Sequence, residues 1–306
     1  MRIRSIRGLL LALVATVSIV GCAGAQGQPD FSKVEIKTTK ISDNFYTLDG
    51  QGGRIGVLAG PDGVLMVDAQ FAPLTDKIVA AVRQISDKPI RFLVNTHVHG
   101  DHTGGNANLG KMGVLIFARE ELRNRLMQPA PGANYGNNGM SAPTAALPVV
   151  TYRGRVTFHL NGEETELIPV ARAHTDGDTM VFFHKNNAIM TGDFFRSIQF
   201  PNIDRTNGGS LDGMLAGLGM VIGMAGPDTK IIPGHGPICD RTAVMAHRDM
   251  ILAVRDRVAK LVAEGKSQDE VIAAKPAADY EGKISEIGTT EDRFVGQLYA
   301  ELQPAK

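Results

Sequence analysis

The sequence predicts an α/β fold: two sheets packed face to face, helices outside them, and a helical tail. Two series of short apolar runs, separated by Gly- and Pro-rich turns, indicate two strand-rich halves. Segments with apolar residues at helical spacing lie among and after them. The 306-residue chain is 43% hydrophobic, enough for a sizeable core, and its 35 glycines favour tight turns over long helical bundles.

The first 25 residues stand apart. Arg2, Arg4 and Arg7 precede the apolar run Leu9 to Val20, and small residues follow, which reads as a secretory signal too short to anchor as a span. Two exits are written there: "IVGC" resembles a lipobox that would place a lipid on Cys22, and "AGA" before Gln26 is an A-x-A cleavage site. Either implies export to the periplasm. Membrane attachment would come only through a lipid on Cys22, and Ala23 after it would send a lipidated form to the outer membrane. Without the leader, 29 basic and 32 acidic side chains remain, a charge of −3. With no basic run past the first ten residues, nothing points to a nucleic-acid partner. Cys239 is the one thiol outside the leader, so no internal disulfide forms.

A Gln/Pro/Gly-rich linker, residues 26–40, leads into "FYTLDG", "RIGVLAG" and "GVLMVDA", three strands with turns between them. "LTDKIVAAVRQI" (74–85) is a helix and "IRFLVNT" (90–96) a strand. "GVLIFA" is a further strand, followed by a helix over about 119–127. Residues 129–148, rich in Gly, Pro, Asn and Ala, read as a long loop of the kind that serves function. "GRVTFHL", "TELIPV", "TMVFFH" and "AIMTGD" are the second series of strands. "LDGMLAGLGMVIGMA" is a helix, "TKIIPG" a strand, and helical periodicity runs from Ala243 to the end.

The chemistry concentrates in "VNTHVHGDHTGGN", which spends three of the chain's eight histidines directly after a strand. Imidazole and carboxylate are the ligands of borderline metals, zinc above all. His97 and His99, two apart in a turn, can face one point, while Asp101 and His102 swing past it toward a second ion. The spacing therefore suggests two metals. Further strand-end groups complete a set of seven: His174 in "ARAHTDGDT", Asp193 in "IMTGDFF" and His235 in "IIPGHGP", the last with glycine on both sides.

The series "HVHGDH … AHTDGD … TGD … PGHGP" resembles the metallo-β-lactamase superfamily over roughly Asn44 to Pro237. The resemblance implies an αββα sandwich with the metals at one edge and two zinc ions per chain. His97, His99 and His174 would hold the first ion, Asp101, His102 and His235 the second, with Asp193 bridging. Residues 41–240 would be the catalytic domain, and 241–306 C-terminal helices packed on it in a structural role. The implied activity is hydrolysis of a small carbonyl substrate (lactone, thioester, ester or β-lactam) by a metal-bridging hydroxide. Asp101 would orient the nucleophile and pass a proton. Thr96, Thr175 and Asp178 are candidates for fixing imidazole orientation, or plain turn residues.

Departures from the family pattern narrow this. Antibiotic-hydrolysing members of the best-known class carry a cysteine in the second site, where "TGD" here supplies Asp193. That resembles glyoxalase II and lactonase sites, and it disfavours that β-lactamase class without removing β-lactam cleavage. A mononuclear iron enzyme like the persulfide dioxygenases is the alternative from another class, although such enzymes use fewer ligands. Arg196, three residues past Asp193, stands where several β-lactam-cleaving relatives place a lysine, and so is the candidate anchor for an anionic substrate. Otherwise it points to solvent or pairs with Asp204. Cys239 reads as a packed thiol, and His159, His184 and His247 as ordinary strand or helix residues.

Overall fold

A computed structural model describes residues 30–131, 140–285 and 287–303. The expected leader and Cys22 lie outside the described residues, as does the middle of the 129–148 loop. Among the described residues no helix is long and apolar enough to cross a membrane.

The first sheet contains β1 (Lys37–Lys40), β2 (Phe45–Asp49), β3 (Ile55–Gly60), β4 (Gly63–Val67), β5 (Ile90–Val94), β6 (Leu115–Arg119) and β7 (Val150–Tyr152), in that spatial order. It is antiparallel from β1 to β4 and parallel from β4 to β7. The second contains β8 (Val156–Leu160), β9 (Glu163–Pro169), β10 (Thr179–Phe183), β11 (Ala188–Gly192) and β12 (Lys230–Pro233). Only its β11–β12 pair is parallel. Outside them lie α1 (Thr75–Ile85), α2 (Gly100–Thr103), α3 (Asn106–Lys111), α4 (Glu120–Met127), α5 (Leu211–Met224), α6 (Arg241–Ala263), α7 (Gln268–Ala273) and α8 (Glu291–Leu302).

Three apolar layers hold this sandwich. Between the sheets, Phe45, Leu65, Val67 and Val94 meet Leu167, Val181, Phe183 and Ile232, and the rings of Phe45 and Phe183 lie 4.1 Å apart. Against the outer face of the first sheet, α1 buries Ile78, Val79 and Val82 on one helical stripe. Against the second, α5, α6 and α8 share one core that includes Leu218, Val254 and Phe294. The predicted αββα arrangement is the observed one.

Two short edge strands and two short helices were not legible. Lys37–Lys40 falls within the stretch expected to be linker, yet pairs with β2 along its length. "KTTK" has no apolar alternation because a mostly exposed edge strand needs none: its backbone makes the pairing. The turn after β5 winds into α2 and α3, whose "NANLGK" buries a single leucine.

The tail packs as periodicity predicts. Val244, His247, Met250, Ile251, Val254 and Val258 form the buried stripe of α6, and Phe294, Val295 and Leu298 that of α8. A chain ending at Asp240 would expose the α5 face that these residues cover, so it should be insoluble; a soluble, fully active truncate would contradict this packing. His247 is buried, its ring edge against Phe195 and its Nε2 without a hydrogen-bond partner. Burial, and secondarily Arg196, lowers its pKa to about 4. The unfolded chain binds this proton near pH 6.5 and the folded chain only near 4, so its contribution is full above 6.5 and lost as pH falls. Between pH 7 and pH 5 this amounts to about 2 kcal/mol, and His247→Leu should flatten that part of the stability-against-pH curve measured by denaturant unfolding.

Candidate metal centre

Each of the seven sequence-predicted ligands sits just past the carboxyl end of a strand or strand-like run, and the two sheets bring those ends to one edge. β5 delivers His97 and His99; α2 turns Asp101 and His102 back beneath them, with the His102 amide donating to the His99 carbonyl at 3.0 Å. β9 delivers His174, β11 delivers Asp193, and β12 delivers His235. Among the described residues, three groups bring ligand-type atoms within 4.8 Å of one another: His97, His99 and His174; His97, His102 and Asp193; Asp101, His102 and His235.

Asp193 joins these groups. Its Oδ1 lies 3.4 Å from His102 Nε2, and its Oδ2 lies 3.4 Å from His235 Nε2 and 4.0 Å from His174 Nε2. His99 Nδ1 and His174 Nε2 face each other at 2.9 Å. Asp101 Oδ2 is 3.0 Å from His235 Nε2, and the carboxylate remains 24% exposed, on the open side.

The remaining ring nitrogens are held from behind. Asp68 accepts from Thr96 Oγ1 and pairs with His102 Nδ1, both at 2.7 Å. Thr96 Oγ1 also lies 3.1 Å from His97 Nδ1. Asp204 pairs with His99 Nε2 at 2.7 Å, and the Asn202 carbonyl with His174 Nδ1 at 2.5 Å. Each imidazole of the first group therefore presents one nitrogen inward while the other is fixed, the arrangement that orients metal ligands. Thr96 does this work as expected. Thr175 and Asp178 act one step away: Asp178 accepts from the His174 and Thr175 amides and from Thr175 Oγ1, fixing the backbone rather than the ring.

The donor set fits a pair of cations. His97 Nε2, His102 Nε2 and Asp193 Oδ1 are buried and find no hydrogen-bond partner, a state that costs about 1–3 kcal/mol each unless something binds them. Protonation divides the imidazoles into two kinds. Burial, reinforced by neighbouring imidazoles, holds His97 well below the usual histidine range and lowers His174 to about 3, so both stay neutral as ligands must. His235 rises to about 9: burial opposes this, but Asp193 and Asp101 prevail. His102 rises too, against its burial, through Asp101 and Asp68.

Sequence reasoning missed Asp68 and the role of Asp204. Asp68 is an acid directly after an apolar strand run, the same pattern that singled out Asp193, and its left-handed backbone (φ 64°) marks a turn built for it. The expectation for Arg196 needs correction. It neither faces solvent nor pairs with Asp204. Its guanidinium is buried, with Nε 3.9 Å from Asp193 Oδ2 and Nη1 donating to Thr289 Oγ1 at 3.4 Å. Gly288 packs so closely that a Cβ there would fall 2.3 Å from Nη2. The Gly288–Thr289 segment thus encloses the outer end of the guanidinium, while its Nε side faces Asp193. Cys239 is a half-buried thiol whose pKa burial pushes up to about 11, and its backbone bridges to Ile231. Its expected inert role fits both.

The model of the metallo-beta-lactamase superfamily matches residues 48–235. A linear primary-alkylsulfatase from Pseudomonas sp. is 22% identical over 287 residues, covering 79% of this chain and 54% of that protein. A hydroxyacylglutathione hydrolase from Polaromonas sp. is 24% identical over 164 residues, covering 53% of this chain and 55% of that protein. The chain thus spans about half the length of these two curated relatives. Among solved structures, the metallo-beta-lactamase from Pontibacter korlensis superposes with a TM-score of 0.58 at 18% identity, over 70% of this chain and 99% of that one. The stereoselective inverting sec-alkylsulfatase Pisa1 from Pseudomonas sp. superposes with a TM-score of 0.67 at 17% identity, over 89% of this chain and 52% of that one.

Because Asp68 neutralises and aims His102, Asp68→Asn should weaken the metal site built on His102 by about 10–100-fold while leaving the His97, His99, His174 group able to bind. Competition with a zinc-chelating dye would resolve the two affinities. Equal loss at both, or at neither, would contradict the assignment.

Proposed function

The chain belongs to the metallo-β-lactamase superfamily, and on that premise we propose that it is an exported, zinc-dependent hydrolase of small carbonyl substrates: lactone, thioester, ester or β-lactam. One observation carries the reading. The buried carboxylate of Asp193 lies between two imidazole clusters, within 4.0 Å of His174 on one side and 3.4 Å of both His102 and His235 on the other. A shared carboxylate between two sets of neutral and carboxylate-paired imidazoles is a two-metal donor set, and it argues against the one-iron alternative.

His97, His99 and His174 would hold one zinc, Asp101, His102 and His235 the other, with Asp193 common to both. Two such ions supply a water of lowered pKa and a Lewis acid at the substrate carbonyl. Asp101 is the carboxylate on the open side, where it can orient the attacking water and carry its proton toward the leaving group. His235 Nε2 lies 3.0 Å from its Oδ2 and aims that carboxylate. Asp204 and Asp68 hold two of the rings from behind, so neither ring reorients during turnover.

A sulfate ester is the second reading. What favours it is the extent of the alkylsulfatase likeness, which runs beyond residues 48–235 into the rest of the chain. An anionic leaving group suits the same centre.

Protein purified after zinc loading should hold close to two zinc ions per chain, and a chelator should abolish turnover. Asp193→Ala should lose the second ion before the first, and His97→Ala should lower kcat/KM by about 100-fold or more. Assays with acyl-homoserine lactones, S-lactoylglutathione, nitrocefin and a primary alkyl sulfate would separate the two readings. A firm content of one iron and no hydrolysis of any of them would overturn both.

A further inference from the structure

Two imidazoles of the first cluster take their orientation from one short segment, residues 202–204. The Asn202 carbonyl pairs with His174 Nδ1 at 2.5 Å, and the Asp204 carboxylate pairs with His99 Nε2 at 2.7 Å. The Asp204 amide also donates to the His174 carbonyl at 3.0 Å, so His174 is gripped at both ring and backbone. The second cluster is held by other groups, His102 by Asp68 and Asp101 by His235. Whatever fixes residues 202–204 therefore acts on His99 and His174 selectively.

That segment belongs to neither a strand nor a helix, so its position depends on the groups that grip it. α8 supplies them. Gln297 uses both ends of its amide: Oε1 accepts from the Ile203 amide at 3.0 Å, and Nε2 donates to Asn202 Oδ1 at 2.9 Å. Glu301, four residues on and so on the same helix face, pairs with Arg205 Nε at 2.9 Å. Its other oxygen accepts from the Leu211 amide, at the start of α5, at 3.2 Å. One face of α8 thus brackets the chain from Asn202 to Leu211. The core does not require this pair, because α8 packs through Phe294, Val295 and Leu298 while Gln297 and Glu301 are half-buried. Holding two long polar side chains still costs conformational entropy, and what it secures is the loop behind His99 and His174.

We propose that Gln297 is a positioning residue of the first metal cluster. It fixes Asn202 and Ile203, and through them the Asn202 carbonyl and the Asp204 carboxylate that aim His174 and His99. α8 lies beyond the residues 48–235 that the family model matches, whereas the seven ligand residues all lie within them. The inference rests on the two-zinc reading above and deepens it. Gln297 takes no part in the chemistry itself.

The test titrates the full chain with zinc against a chelating dye, while the ring signals of His174 and His102 in NMR spectra report which cluster fills. Gln297→Met keeps the length of the side chain and removes both hydrogen bonds. Zinc affinity at the His97, His99, His174 cluster should fall about 3–10-fold, less than for loss of a group that touches a ligand directly. Affinity at the Asp101, His102, His235 cluster should not change. Gln297→Glu keeps an acceptor for the Ile203 amide and should recover part of the loss. Leu298→Ala removes apolar packing from the same helix, so it should lower Tm yet leave both affinities at their wild-type values. In the zinc-loaded chain, hydrogen exchange of the His99 and His174 ring N–H groups should quicken in Gln297→Met, and that of His102 should not. Equal weakening at both clusters, no weakening at either, or the same selective loss in Leu298→Ala would overturn the proposal while the two-zinc reading stands. If the wild type itself shows one zinc affinity or none, that reading falls first and this one with it.

Discussion

A buried carboxylate that must be shared sets the terms for the rest of the molecule. Asp193 is only 6% exposed, has one oxygen toward His102 and the other toward His235 and His174, and meets the buried guanidinium of Arg196 only at 3.9 Å. Burying an ionised carboxylate is expensive unless cationic partners surround it. Here the partners come from both sheets, so the αββα sandwich has to bring the ends of β5, β9, β11 and β12 to one edge. Close approach is the second half of the constraint. A Cβ on Gly234 would fall 2.1 Å from Asp193 Oδ1, and one on Gly53 would fall 2.1 Å from the His102 ring. The turns around the site carry glycine because ligand side chains already occupy the space.

This explains what was legible in the sequence and what was not. Metal ligands are drawn from few residue types, so residue type and position at strand ends together picked out the seven histidines and aspartates that the structure brings to one edge. The supporting atoms had no such requirement. Asn202 acts through its carbonyl, which any residue possesses. Asp204 follows no strand and meets His99 only because the chain folds 105 positions back on itself. The strand runs with clear alternation or continuous apolar character appeared where expected, while β1 and β7 did not, because edge strands are specified by backbone pairing. Arg196 was misread for a related reason: its neighbours Gly288 and Thr289 lie 92 and 93 positions away, and nothing near Arg196 in sequence announces them.

The C-terminal helices therefore have two jobs on one element. Their apolar stripes complete the outer core on the second sheet, as helical periodicity implied. The turn between α7 and α8 does something periodicity does not encode. It presents Gly288 and Thr289 to Arg196 and pairs Ser285 with the backbone at Ile198 and Gln199. Family likeness over residues 48–235 alone would describe a metal centre with an open flank at Arg196. In the whole chain that flank is covered by a segment from outside the matched region.

Covering it changes the electrostatics of the centre as well as its shape. A guanidinium left open beside Asp193 would be hydrated and would compete weakly for that carboxylate. Enclosed by Gly288 and bonded to Thr289, it is fixed 3.9 Å from Asp193 Oδ2, a standing positive charge on the side away from His102. That contact restrains the chain leaving β11, so the Asp193 side chain is held in place on this flank. Aiming ligands in advance removes the ordering cost from the binding step. The rigidity of this flank then has one structural cause, the return of the C-terminal segment across the strand end that carries Asp193.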